Sequence, residues 1–302
     1  MSELNPETAI ALTVDPVSHD LGAFEVRRAV PQAACRMVGP FVFIDQFGPA
    51  QYDIGNGMDV RPHPHIGLST VTYLMQGAID HRDSLGSFAT IRPGAVNLMT
   101  AGSGIVHSER SPQSEREAGG RIFGTQTWLA LPEAKEEIDA DFESVLADDL
   151  PIVEDTCAKA RVIMGSLWGA TAPTTCHAAT INADIILAAG GAMPIEAEAD
   201  ERALLLVEGE AEVGGERLEM FKLAVLRPGR AMTLRSEKGA RVVLMGGEAM
   251  TRRHVWWNFV SSSRERINQA KEDWRAGKFA KVPGDEKEFI PLPDHPKTVS
   301  YP

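Results

Sequence analysis

The sequence predicts an all-β protein built from two similar domains, each a sandwich or barrel. Three observations carry this. Short β-rich runs recur along the chain, turn residues separate them, and one unit of sequence occurs twice. Nineteen prolines and 27 glycines punctuate the chain. Between them lie Leu68 to Met75, Arg121 to Leu131, Ala203 to Val207, Leu223 to Leu226 and Arg241 to Met245. Short strands with turn signals about 8–12 residues apart mark sandwiches and barrels. The length of 302 residues is too great for one ordinary core and suits two domains of roughly 150 residues.

The repeated unit is a strand ending in glycine, a short hairpin, then an Arg-Pro-Gly turn. Tyr73-Leu74-Met75-Gln76-Gly77 is followed by Arg92-Pro93-Gly94, and Leu206-Val207-Glu208-Gly209 by Arg227-Pro228-Gly229. Pro fixes φ at the first corner and Gly permits positive φ at the next. A unit used twice implies two related β domains. We place them at residues 1–140, carrying the chemistry, and 141–302, with a C-terminal helix and tail.

That helix is signalled by Ser262-Ser263-Arg264-Glu265, which reads as a capping box. Ile267, Ala270, Lys271 and Trp274 then share one face, and Gly277 sits where a left-handed residue ends a helix. The prolines that follow, Pro283, Pro291, Pro293, Pro296 and Pro302, predict an extended tail over a surface. The acidic stretch Glu133 to Asp149 has few apolar residues and reads as a solvated linker. Trp256 and Trp257 read as domain-packing anchors.

Charge excludes some functions. Asp and Glu number 42 against 30 Lys and Arg, a net charge of −12. Direct nucleic-acid binding and adsorption to an anionic membrane both need a cationic surface, so neither is expected. No apolar run reaches the roughly 20 residues of a membrane span. The N-terminus lacks the basic-then-apolar pattern of a secretory signal. Cys35, Cys157 and Cys176 form neither an even set nor a Cys-x-x-Cys, and read as small buried side chains in a reducing cytoplasm.

The chemistry-bearing residues are two pairs with one spacing. His63-Pro64-His65 points two imidazoles to one side of an extended strand, and Pro64 keeps His63 extended. His107-Ser108-Glu109 repeats the pattern 44 residues later. On facing strands of a small barrel, three neutral imidazoles and a carboxylate would surround one cation, leaving open positions toward the mouth. Two exposed histidine-bearing loops are the plainer alternative. The repeat supplies a control. His63 and His65 lie 14 and 12 residues before Gly77, and the same offsets from Gly209 give Ile195 and Ala197. His107 and Glu109 lie 13 and 15 residues after Gly94, and the same offsets from Gly229 give Val242 and Leu244. All four are apolar, so the second domain should be metal-free. His81 reads as a structural or exposed turn residue. Gly102 and Gly104 serve the turn before His107, and His177, His254 and His295 stand alone.

These residues resemble the pirin family of the cupin superfamily. The likeness lies in His63-Pro64-His65-Ile66-Gly67, in Thr70-Val71-Thr72-Tyr73-Leu74, and in Met99-Thr100-Ala101-Gly102-Ser103-Gly104-Ile105-Val106-His107-Ser108-Glu109. It continues in Trp256 to Ser262 and Phe289-Ile290-Pro291-Leu292-Pro293. The resemblance implies a bicupin, two antiparallel jelly-roll barrels, with one iron-type metal in the first barrel only. Its pattern assigns the ligands to His63, His65, His107 and Glu109. Many pirins carry a glutamate where this chain has Ser69, which puts any acid–base role there in doubt. The resemblance also implies quercetin 2,3-dioxygenase activity on a flavonol-like aromatic substrate. Glu109 would act as base, with Fe(II) bound, or Ni, Cu, Zn, Mn or Co in isolated protein. The alternative it implies is a redox-sensing regulator that works through a protein partner.

Overall fold

The computed structural model describes residues 8–20 and 24–295. The described chain is mostly strand and falls into two compact units. Among the described residues, the first barrel is built from 18–20, 24–31, 42–147 and 251–295, and the second from 8–17, 32–41 and 148–250.

In the first barrel a seven-stranded sheet runs in the order Asp141–Val145, Val96–Thr100, Leu68–Gln76, Arg121–Ala130, Phe41–Gln51, Glu25–Val30, Val17–Asp20. A four-stranded sheet holds Asp59–His65, Ile105–Arg110, Ile79–Asp83 and Phe88–Ile91 in that order. The second barrel repeats both orders. Its large sheet runs Ile10–Val14, Leu223–Leu226, Glu201–Gly209, Ala240–Gly247, Thr180–Leu187, Ala158–Met164, Ile152–Glu154. Its small sheet runs Ala192–Ile195, Met232–Arg235, Glu212–Val213, Glu216–Arg217. The two-domain bicupin read from the sequence is therefore the fold.

Matching the sheet orders corrects the repeat alignment by one strand. Pro93-Gly94 precedes Val96–Thr100, whereas Pro228-Gly229 follows Leu223–Leu226, the counterpart of that strand. Register then gives the true counterparts of the histidines. His63 pairs with His107 and His65 with Ile105, as Met193 pairs with Leu234 and Ile195 with Met232. Met193, Ile195 and Leu234, all buried, thus stand where the three imidazoles stand. Val242 and Leu244 belong to Ala240–Gly247, the counterpart of Arg121–Ala130. In either register the positions equivalent to the histidines are apolar.

The chain does not divide at residue 140. Ile10–Val14 pairs antiparallel with Leu223–Leu226 and completes the second barrel's sheet. Asp141–Val145 takes the equivalent place in the first barrel, against Val96–Thr100. The acidic segment is thus not a linker. An edge strand needs only alternate residues inward, and here Phe142 packs against the core while Ser144 donates to Asn97 Oδ1 at 2.9 Å. Glu136, in the same segment, is buried against Arg253 (Nε to Oε1 2.9 Å) and accepts from the Ser261 and Ser262 hydroxyls.

The C-terminal helix, Arg264–Arg275, belongs to the first barrel. Its N-cap is Ser263, whose hydroxyl accepts from the Arg266 N–H at 3.2 Å and donates to Glu265. Ser262 instead gives its N–H to Glu136. Ile267 and Ala270 face a cluster of Ile66, Trp257 and Phe259, flanked by Trp256 and Trp274. The two tryptophans therefore anchor the helix to its own barrel. After Gly277 the tail crosses the outer side of the His63 strand, where the Ile290 N–H donates to the Pro62 carbonyl at 2.8 Å. Pro296 and Pro302 lie outside the described residues. Of the cysteines, Cys35 is buried, with burial pushing its thiol up to about 11, whereas Cys176 is exposed.

Gly67 joins the His63–His65 strand to the next. It has φ +67°, and a Cβ there would lie 2.0 Å from the Val260 carbonyl oxygen. A left-handed backbone costs an L-residue about 1–2 kcal/mol before any clash. Gly67→Ala is expected to lower unfolding stability by at least about 2 kcal/mol, read from urea midpoints. An unchanged midpoint would contradict this placement.

Candidate metal centre

The small sheet of the first barrel aligns the candidate ligands. His63 and His65 end one strand, two residues apart and on one face. His107 and Glu109 share a face of the adjacent antiparallel strand, with His107 directly opposite His63. The two pairs are therefore hydrogen-bonded neighbours in one sheet, not facing walls of the barrel. A register shift between His107 and Glu109 sets Glu109 opposite Val60.

The three imidazoles converge. Each of His63, His65 and His107 is buried and offers a ring nitrogen within 4.8 Å of the others. His65 Nε2 and His107 Nε2 are 3.1 Å apart. The opposite nitrogens of His63 and His65 are engaged. His63 Nδ1–H donates to the Arg61 carbonyl at 2.9 Å and His65 Nδ1–H to the Asn258 carbonyl at 3.2 Å. Such outer hydrogen bonds fix the tautomer that leaves Nε2 bare. Two ring nitrogens this close can share one cation. Two ligand bonds of about 2.1 Å at a right angle put their nitrogens about 3.0 Å apart, so the donor set fits a divalent metal.

Electrostatics agree. Burial pushes His63 down to about 4, against a small opposing pull from the Arg61 carbonyl. Burial, then the neighbouring imidazoles, push His65 and His107 well below the usual histidine range. All three are neutral near pH 7, as ligands must be.

Glu109 is buried on the same side but does not belong to the three-histidine group. Its Oε1 accepts from Gln126 Nε2 at 2.7 Å. Burial raises its carboxyl above the usual range, with the Gln126 hydrogen bond opposing. Beyond His65 the wall is aromatic. Trp128 meets His65 edge to face (5.1 Å, 79°) and stacks on Phe43 (3.9 Å, 10°). The Arg28 guanidinium covers Phe43 at 4.2 Å and grips Asp45 with two 2.8 Å bonds. Ser69 is buried, its hydroxyl bonded to that of Thr100 at 3.0 Å.

His81 is what sequence reasoning missed. It lies in the strand Ile79–Asp83, not in a turn, and is buried beside His107. Its ring stacks on Phe142 (4.3 Å, 8°). Its Nε2 is 3.0 Å from Asp83 Oδ2, and its Nδ1 is 3.5 Å from His107 Nδ1. Burial pushes the Asp83 carboxyl up, yet hydrogen bonds from His81 and Ser87 outweigh it and hold the group below its usual value. A signal was present. Ile79, His81 and Asp83 alternate, so an apolar anchor shares their face.

Comparison with known proteins agrees with this fold. Residues 23–129 match the Pirin family model and residues 182–280 the Pirin C-terminal cupin domain. A pirin-like protein of Caulobacter vibrioides is 46% identical over 94% of this chain and 100% of its own length. A crystal structure of quercetin 2,3-dioxygenase from Acinetobacter baumannii is 34% identical, covers 95% of this chain and 96% of that one, and has a TM-score of 0.87. The bacterial pirin YhhW from Escherichia coli shares the fold at 17% identity, over 78% of this chain and 96% of that one, with a TM-score of 0.62. A bicupin with histidines gathered in one barrel and apolar residues in their place in the other, matched along nearly its whole length by a pirin-like relative, belongs to the pirin family.

Proposed function

We propose that His63, His65 and His107, with Glu109 as fourth ligand, hold one divalent cation of the iron(II) type. On this reading the protein is a dioxygenase of the quercetin 2,3-dioxygenase type, acting on small flavonol-like aromatics. The observation that carries it is the pair of imidazole nitrogens 3.1 Å apart inside a buried three-histidine group. The likeness to the Acinetobacter baumannii quercetin 2,3-dioxygenase supports the substrate class.

A bound cation supplies Lewis acidity toward the substrate's 3-hydroxyl oxygen. The protein's residues do the rest. Glu109 takes the hydroxyl proton, and burial suits it to this by raising its carboxyl toward the working pH. Gln126 holds Oε1 and so fixes the direction of the carboxylate. The buried wall of Trp128 and Phe43 excludes water from one side of His65.

The test is oxygen uptake and carbon monoxide release with quercetin and iron-loaded protein. Glu109→Gln should bind metal more weakly and, once saturated with it, turn over about 10²–10⁴-fold more slowly, the usual worth of a positioned base. The enzyme reading gives way to a metal-dependent regulator if loaded wild type consumes no oxygen while His63→Ala abolishes capture of a protein partner.

A further inference from the structure

Asp83, His81 and His107 form a hydrogen-bonded row that ends at the three-histidine group. Register sets Asp83 opposite His107 and His81 opposite Glu109 on adjacent strands. His81 and Asp83 are two residues apart, so both point to the face that carries His107 and Glu109. All of these side chains are buried.

The direction of each bond follows from what Asp83 already does. Its Oδ1 accepts the backbone N–H groups of Leu85 at 2.9 Å and Ser87 at 3.0 Å. A carboxylate held this way only accepts, so His81 Nε2, 3.0 Å from Oδ2, is the donor. With a cation on Nε2 of His107, the ring proton of that residue sits on Nδ1, and the other nitrogen of His81 is its acceptor. The group facing it at 3.5 Å is His107 Nδ1, which must carry the proton. That leaves His107 Nε2 bare, toward His65 Nε2. Phe142, stacked on His81 at 4.3 Å, keeps the ring from turning away.

We propose that His81 is a positioning residue that, with Asp83 behind it, sets the tautomer of His107 and keeps its Nε2 bare for the cation. The proposal rests on the metal reading above. His63 and His65 are fixed by backbone carbonyls, whereas His107 depends on this side-chain row. The second barrel fits the same logic. Its counterpart of Ile79–Asp83 is the two-residue strand Glu212–Val213, and Leu234 replaces His107. The row exists where there is an imidazole to orient.

Three variants separate orientation from mere packing. His81→Phe keeps a ring on Phe142 but breaks both hydrogen bonds. His81→Gln restores them, its amide donating to Asp83 and its carbonyl accepting from His107. Asp83→Asn can present an N–H to His81 and reverse the row. In apoprotein labelled with ¹⁵N at histidine, wild type and His81→Gln are expected to show His107 protonated at Nδ1. His81→Phe and Asp83→Asn should show mixed or inverted tautomers. Co(II) affinity, by competition with a chelating dye, should fall about 10–100-fold in His81→Phe, with a shifted visible d–d spectrum. His81→Gln should stay within about threefold of wild type by the same reasoning.

The proposal is overturned if His81→Phe keeps the wild-type tautomer and affinity, or if His81→Gln loses as much as His81→Phe. Wild type that takes up no cobalt would defeat the metal reading alone, and the tautomer spectra would still decide this one.

Discussion

His107→Ala, purified fresh, is expected to carry almost no metal. The argument is one of ligand count. Apparent binding energies of about 10–16 kcal/mol over four protein ligands put each near roughly 3 kcal/mol, about a hundredfold in affinity. His107 is worth at least that here, because its Nε2 is the one 3.1 Å from His65 Nε2. A control comes from the other barrel. Leu234 occupies the position equivalent to His107 and is fully buried. Leu234→Ala should cost about 2–5 kcal/mol of stability by leaving a cavity, yet leave metal content unchanged. Elemental analysis beside urea midpoints reads both. A His107→Ala protein with wild-type stoichiometry would remove the metal assignment, and metal lost from Leu234→Ala would mean the second barrel takes part.

What the sequence disclosed, and what it hid, follows from the range of the signals. The His-x-His and His-x-Glu pairs were legible because a strand has a period of two, so each pair shares a face wherever it sits. Which strands are neighbours is a long-range matter. The pairing of His63 with His107 inside one sheet leaves no local signature, so the two pairs read equally well as facing walls. The Arg-Pro-Gly turns misled because turn chemistry is local. The same three residues precede one strand and follow its counterpart, so they could not fix the register of the repeat. Asp141–Val145 was missed for a related reason. An edge strand that buries one face needs few apolar residues, and its charge reads as linker. Ile10–Val14, pairing with a strand more than 200 residues later, gives no local sign of where it belongs. His81 was hidden by charge, since Asp80, Arg82 and Asp83 surround it and suggest an exposed turn.

Acid is expected to weaken the metal-free protein through the same three imidazoles. Burial holds His63 near 4 when folded and keeps His65 and His107 well below the usual histidine range, whereas an unfolded histidine titrates near 6.5. Between those values the unfolded chain binds more protons than the folded one, so stability falls as pH falls. The slope approaches about 1.4 kcal/mol per pH unit for each histidine that stays neutral in the fold. Glu109 and Asp45 work the other way. Burial raises both carboxyls, so they favour the fold more in acid and offset part of the loss. The prediction is therefore a difference. Urea midpoints of apoprotein from pH 7 to pH 5 should fall more steeply in wild type than in a variant with His63, His65 and His107 all changed to Gln, which cannot take up the protons. A bound cation competes with those same protons, so the stability it adds should shrink over the same interval. Parallel slopes for wild type and variant would mean that the imidazoles are not held neutral by burial, and the preformed donor set inferred from their geometry would go with that result.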